Sequence, residues 1–166
     1  MKHLLLAAAL LAAAGTAQAA KGHAHGVGTL DVAIDGQELT LSLELPLDAA
    51  VGFERAPKTP AEQAALADAA KRLQDPVPFA PTAAAGCTLA RAEVGVPFVG
   101  SATAAGEHAD IAATYVFRCA APAALKGVET TLFKHFRRLY RIEARRIGPA
   151  GQGSGRLTPK APALSW

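Results

Sequence analysis

Residues 27–46 alternate. Leu30, Val32 and Ile34 fall on every second position, Asp35-Gly36 follows, and Leu39, Leu41, Leu43 and Leu45 resume the period of two. That period puts one set of side chains on one face of a strand, and an Asp-Gly pair between two such runs predicts a hairpin. The opposite face carries Thr29, Asp31, Thr40, Ser42 and Glu44, so one side of the predicted sheet is wet. The period then changes in "KTPAEQAALADAAKRLQDP". Thr59 is placed as N-cap, Pro60 as first helical residue, Glu62 three after the cap, and Asp75-Pro76 as the stop. Leu66, Ala69, Ala70 and Leu73 form a narrow apolar stripe, which predicts a helix lying on the surface of a sheet.

Strand-like stretches resume at 88–99 and 111–119, where Ile111, Ala113, Tyr115 and Phe117 would share one face and Thr114 and Arg118 the other. The small-residue stretch "VGSATAAGE" between them predicts a loop without core contacts. Two periods compete in "TTLFKHFRRLYRIEARRI". Leu132, Phe133, Phe136, Leu139, Tyr140 and Ile147 suit a helix, whereas Tyr140, Ile142 and Ala144 suit a strand flanked by Arg141, Glu143 and Arg145. Periodicity alone favours the helix. The Gly- and Pro-rich tail "GPAGQGSGRLTPKAPALSW" predicts loop with at most one edge strand.

The first residues are apolar without any period. A short cationic start, Met1-Lys2-His3, precedes the run Leu4 to Ala14 and the small-residue pattern Ala17-Gln18-Ala19. This is the pattern of a secretory signal peptide over residues 1–19. The run is too short to span a bilayer, and no later stretch approaches the roughly 20 apolar residues of a transmembrane helix. The expectation is a soluble exported chain, residues 20–166, of a size for a single domain. In such a chain the only two cysteines, Cys87 and Cys119, read as a disulfide joining the start of one strand to the end of another. The net charge is +3, one unit of it from Lys2, which excludes nucleic acid as an expected partner.

Candidate chemistry centres on histidine. His23 and His25 are two residues apart, and in extended chain both would point to one face with Cα atoms roughly 6.6 Å apart. His108 and Asp110 repeat the spacing. If the two strands pair, His23, His25, His108 and Asp110 could make a tetrahedral N₃O site suited to zinc. The alternative for the second pair is a polar start to a strand. Cleavage after Ala20 would instead expose Lys21-Gly22-His23, an amino-terminal pattern suited to copper or nickel, although Ala17/Ala19 fit the peptidase better than Gln18/Ala20. His135 lies among Lys134, Arg137, Arg138, Arg141, Arg145 and Arg146, which reads first as a solvated face and otherwise as a docking patch for an acidic partner or lipid headgroups. Gly151, Gly153 and Gly155 lack the Gly-Lys-Ser/Thr of a phosphate loop. Pro159 and Pro162 interrupt the strand that would let Trp166 end an outer-membrane barrel. No nucleophile elbow, zinc-protease helix or isolated carboxylate pair points to an enzyme.

Several stretches in order, "HAHGVGTLDVAIDGQELTLSLELP", "VGFERAPKTPAEQAAL", "AGCTLARAEV", "EHADIAATYVFRCAAPAAL", "LFKHF" and "LTPKAPALS", resemble the ZrgA-like periplasmic zinc-uptake proteins. The resemblance implies a periplasmic zinc-binding protein that helps deliver the ion to a zinc ABC transporter or its binding protein. His23, His25, His108 and Asp110 fall on histidine-bearing or acidic positions of that family. Arg55 stands where the family pattern has histidine, as does Ala112, and Thr114 replaces an acidic residue. The bare "VGSATAAGE" replaces a His/Asp/Glu-rich loop, so the resemblance implies a reduced ligand set. It also implies a hairpin centred near Arg137-Arg138, against the helical period.

The resulting expectation is a mainly β, antiparallel sandwich-like single domain with one surface helix and one disulfide. Its function would be zinc binding in support of uptake, with affinity falling as the pH drops below about 6.5, where histidines ordinarily charge. The competing expectation is a non-metal cell-envelope interaction module built on the basic segment.

Overall fold

The leucine-rich hairpin lies at the centre of the larger of two sheets in the computed structural model, which describes residues 24–75, 77–99 and 109–166. The expected signal peptide, the Lys21-Gly22-His23 start, the loop 100–107 and His108 lie outside the described residues. Strands β1 (Val27–Asp35) and β2 (Glu38–Pro46) pair antiparallel with Asp35 opposite Glu38 and Thr29 opposite Glu44. Gly36 turns the chain at φ +54°, a conformation that L side chains avoid. Leu30, Val32, Leu39, Leu41, Leu43 and Leu45 are buried on one face, and Asp31, Ser42 and Glu44 are exposed on the other. The alternation therefore reads the sheet's two sides correctly.

Strand β4 (Cys87–Gly95) pairs with β5 (Asp110–Cys119), and Cys87 stands opposite Cys119, to which it is disulfide-bonded. Ile111, Ala113, Tyr115 and Phe117 are buried. β4 stops short of the expected Val99: the chain turns after Gly95, with the Val99 N–H bonded to the Val96 carbonyl at 3.2 Å and Phe98 at φ 65°. Pro97 has no N–H to continue a ladder.

Helix α1 (Leu47–Val51) follows β2 directly, and α2 (Pro60–Gln74) is the predicted capped helix. The Glu62 N–H donates to Thr59 Oγ1 and the Thr59 N–H to Glu62 Oε2, both at 3.2 Å, which completes a capping box. Leu66, Ala69 and Leu73 face the core. The buried Tyr115 hydroxyl donates to the Leu73 carbonyl at 2.7 Å, fastening α2 to the sheet.

Two expectations are corrected over the C-terminal third. Residues 132–147 form neither one helix nor a hairpin. Leu132 and Phe136, four apart, are both buried, and the intervening chain makes the single turn α3 (Leu132–His135). The chain turns at Arg137-Arg138 and enters β7 (Arg141–Gly148), which pairs with β1 in parallel. Helical and strand periods therefore both hold, one after the other. The tail supplies two strands, not one at most: β8 (Gly151–Leu157) on the larger sheet and β9 (Ala163–Ser165) on the smaller. A Cβ on Gly155 would stand 2.5 Å from Leu164 Cδ1, so the Leu164 side chain of β9 packs over this glycine.

The larger sheet has the order β4-β5-β2-β1-β7-β8; the smaller comprises β3 (Phe79–Pro81), β6 (Gly127–Thr130) and β9 in the order β3-β6-β9. Phe79 meets Tyr115 edge to face with centroids 5.2 Å apart, joining the two layers through the core. The architecture is the expected mainly β, sandwich-like single domain, with one parallel pairing and two short helices beyond the expected one. Among the described residues no helix is long and apolar enough to cross a membrane.

Candidate metal centre

The hairpin register reaches past its own ends. Carried on from Thr29 opposite Glu44, it sets residue 25 across from residue 48. There β1 is preceded by a turn in which the Val27 N–H donates to the Ala24 carbonyl at 3.0 Å, with Gly26 at φ +71°. β2 gives way at the same level to α1, anchored by the buried Leu47 and Ala49 and by a 3.0 Å bond from the Leu47 N–H to the Ala109 carbonyl. Gly52 ends α1 in the left-handed conformation, its N–H donating to the Asp48 carbonyl at 2.8 Å. The chain thereby doubles back and presents Glu54.

His25, Asp48 and Glu54 converge as a result. His25 Nδ1 lies 2.9 Å from Asp48 Oδ2 and 3.8 Å from Glu54 Oε1. The side chain of His25 is 77% exposed, those of the carboxylates 21% each. A carboxylate only accepts, so Nδ1 carries the proton and donates it to Asp48. The other Asp48 oxygen, Oδ1, is buried without a hydrogen-bond partner, an arrangement that favours an added cation. Among the described residues these three are the histidine, cysteine and acidic side chains whose ligand atoms all come within 4.8 Å of one another.

One imidazole and two carboxylates form a donor set that suits zinc. With bonds of about 2.0 Å, the edge of a zinc tetrahedron is about 3.3 Å. The two edges that His25 makes, 2.9 and 3.8 Å, bracket it, and the ligand atoms of all three residues lie within 4.8 Å of one another. Both thiols are committed to the disulfide, so neither is available as a metal ligand.

A family model for ZrgA family zinc uptake proteins matches residues 22–166. This chain belongs to the ZrgA family. The match spans the hairpin, α2, both sheets and all three members of the cluster. No individual curated protein matches the chain.

Of the four residues expected from sequence, His25 and Asp110 fall within the described residues. His25 is in the cluster. Asp110 begins β5 opposite Pro46, at the same end of the sheet. His23 and His108 lie outside the described residues. The strand adjacency assumed for these pairs does not occur: β2 lies between β1 and β5, which separates those strands by about 9.6 Å. Asp48 occupies the intervening position, just beyond the end of β2. It was missed because it follows a strand and reads as the start of a loop; the register of the Asp-Gly hairpin was the signal that could have found it. Glu54 had no comparable signal, because its return depends on the turn at Gly52.

Arg55, at the position of the expected histidine, is engaged by other partners. It pairs with Glu62 at 2.6 Å and lies over the Phe53 ring at 5.2 Å. That guanidinium, helped by the backbone N–H groups of Lys58 and Thr59, holds the Glu62 carboxyl down at about 2. His135 is also remote from the cluster in its contacts: Arg72 Nη1 donates to its Nδ1 at 3.3 Å. Several arginines of the basic segment and of β8 have partners within the chain, although Arg141 Nε, close to Glu143, makes no hydrogen bond. Arg145 grips Asp31 with two bonds of 2.7 Å, Arg141 and Arg156 meet Glu143 at 2.9 and 3.3 Å, and Arg146 donates to the Gly151 carbonyl and lies over Trp166.

Proposed function

We propose that this ZrgA-family chain binds zinc in the periplasm through His25, Asp48 and Glu54 and passes it to an importer of the ABC class or to that importer's binding protein. The observation that carries the reading is the His25–Asp48 contact, in which a proton occupies the place an ion would take while the second carboxylate oxygen is buried without a partner. The pattern of residues 1–19 and the disulfide support an exported location. His23, two residues before His25, and His108, adjoining the Ala109 that bonds Leu47, are proposed as further ligands with Asp110.

The site would work by exchange. Zinc would need the Nδ1 lone pair, so a neutral imidazole would bind it with its proton moved to Nε2 and an imidazolium would first have to release one, which weakens binding on acidification. An exposed imidazole with two oxygen ligands leaves the ion open to capture by a partner's donors. The reading as an envelope docking module draws little support, because Arg141, Arg145, Arg146 and Arg156 are engaged within the chain.

Isothermal titration of Zn²⁺ into tag-free, metal-free protein tests the site. Binding at neutral pH should fall stepwise at lower pH and be lost in a His25→Ala/Asp48→Asn double variant. No binding by the wild type, or unchanged binding by the double variant, would sink the assignment. Uptake is tested by growth of a deletion strain under zinc chelation, which the wild-type gene should restore and the double variant should not.

A further inference from the structure

One segment, residues 138–140, touches both arms of the candidate centre. The Tyr140 N–H donates to the Gly26 carbonyl at 3.0 Å. A Cβ on Gly26 would stand 2.6 Å from the Arg138 carbonyl oxygen and 2.6 Å from Tyr140 Cε1. The turn that presents His25 is therefore pressed directly onto this segment. On the other arm, a Cβ on Gly52 would stand 3.0 Å from Arg138 Nε and 3.2 Å from Cζ. The guanidinium thus lies against the glycine that ends α1 and turns the chain toward Glu54. The segment itself is anchored, since Phe136 and Leu139 are buried and the Leu139 N–H donates to the Phe136 carbonyl at 3.0 Å. Tyr140, 52% exposed, is held against Gly26 on one side with the Arg141 guanidinium 5.8 Å from its ring.

We propose that Arg138 and Tyr140 are positioning residues of the metal centre, gripping the glycine after His25 and the glycine before Phe53-Glu54 so that imidazole and carboxylates keep their spacing. The inference rests on the zinc reading of that cluster. It explains why an exposed histidine holds a 2.9 Å contact with Asp48 although its own side chain is scarcely packed. A contact of that kind dissipates unless the backbone on both sides is fixed. Lysine would not substitute for arginine here, because the atoms nearest Gly52 are Nε, Cζ and Nη2 of the guanidinium, which lysine lacks.

The test is zinc titration of the full chain in four forms: wild type, Arg138→Lys, Arg138→Ala and Tyr140→Ala. Melting of each metal-free form is measured alongside, as is the visible spectrum with Co²⁺ as a probe of coordination geometry. Arg138→Lys and Arg138→Ala should each weaken zinc binding by about tenfold or more, as loss of a supporting contact does at metal sites. Their Co²⁺ spectra should change, with metal-free melting of the Lys variant near wild type. If Arg138 acted only as a nearby charge, the Lys variant would match wild type and the Ala variant would bind more tightly; either result overturns the proposal. Should Tyr140→Ala fail to fold, the Lys variant decides alone. Absence of zinc binding in the wild type overturns both readings, whereas His25-dependent wild-type binding with an unaffected Lys variant overturns only the positioning role.

Discussion

Replacing Tyr115 by Phe removes one oxygen and should loosen α2 from the sheet. The phenol is fully buried, and its hydroxyl donates to the Leu73 carbonyl at 2.7 Å. Leu73 lies in the last turn of α2, where carbonyls have no acceptor role within the helix. The substitution keeps the ring and its edge-to-face contact with Phe79, so little volume is lost. What changes is a buried carbonyl left without its donor, which costs about 2 kcal/mol. For a domain of this size that lowers the melting temperature by about 6 °C. Calorimetry and urea unfolding of the two proteins measure it, and a loss under about 0.5 kcal/mol would refute the reasoning. The pH dependence supplies a second check. Burial pushes the Tyr115 phenol well above its ordinary value. The folded pKa thus exceeds the unfolded one of about 10, so the stability from this neutral phenol is complete below about pH 10 and declines as the pH rises beyond it. Tyr115→Phe should abolish that part of the alkaline decline.

Other consequences follow from the caps and the bridge. Converting both Cys87 and Cys119 to Ala opens a loop with a sequence separation of 32. Chain entropy puts the cost at about 3.7 kcal/mol, readable as a lower urea midpoint; an unchanged midpoint would refute it. Thr59→Ala removes the side-chain half of the capping box and should cost about 1 kcal/mol by the same measurement. The Glu62 carboxyl, lowered from 4.5 to about 2 chiefly by Arg55, contributes stability that is full above about pH 4.5 and lost as the pH falls toward 2. Arg55→Ala should flatten acid unfolding across that window, and an unaltered acid limb would count against the pairing.

Sequence alone determined what depends on neighbours along the chain. The Asp35-Gly36 hairpin, the Thr59–Glu62 capping box and the Ile111–Phe117 alternation are all set within a few residues by turn chemistry or by a period of two or 3.6. The disulfide followed from export chemistry and a count of two cysteines. The resemblance along the chain placed it in its family, and the turn at Arg137-Arg138 was located correctly although its flanks were not. Tertiary structure decided what depends on which surfaces meet. β1 takes β7 as its parallel neighbour, and the glycine-rich β8 becomes a strand by pairing with β7 from Gly151 to Leu157. The candidate site divides the same way. His25 stood out as a histidine, and Asp48 was implicit in the hairpin register. Glu54 becomes a member only because Gly52 reverses the chain, and the hold of Arg138 and Tyr140 on both arms joins residues more than eighty positions apart. Local periodicity places a side chain on a face, but only packing of distant segments brings two faces to one candidate site.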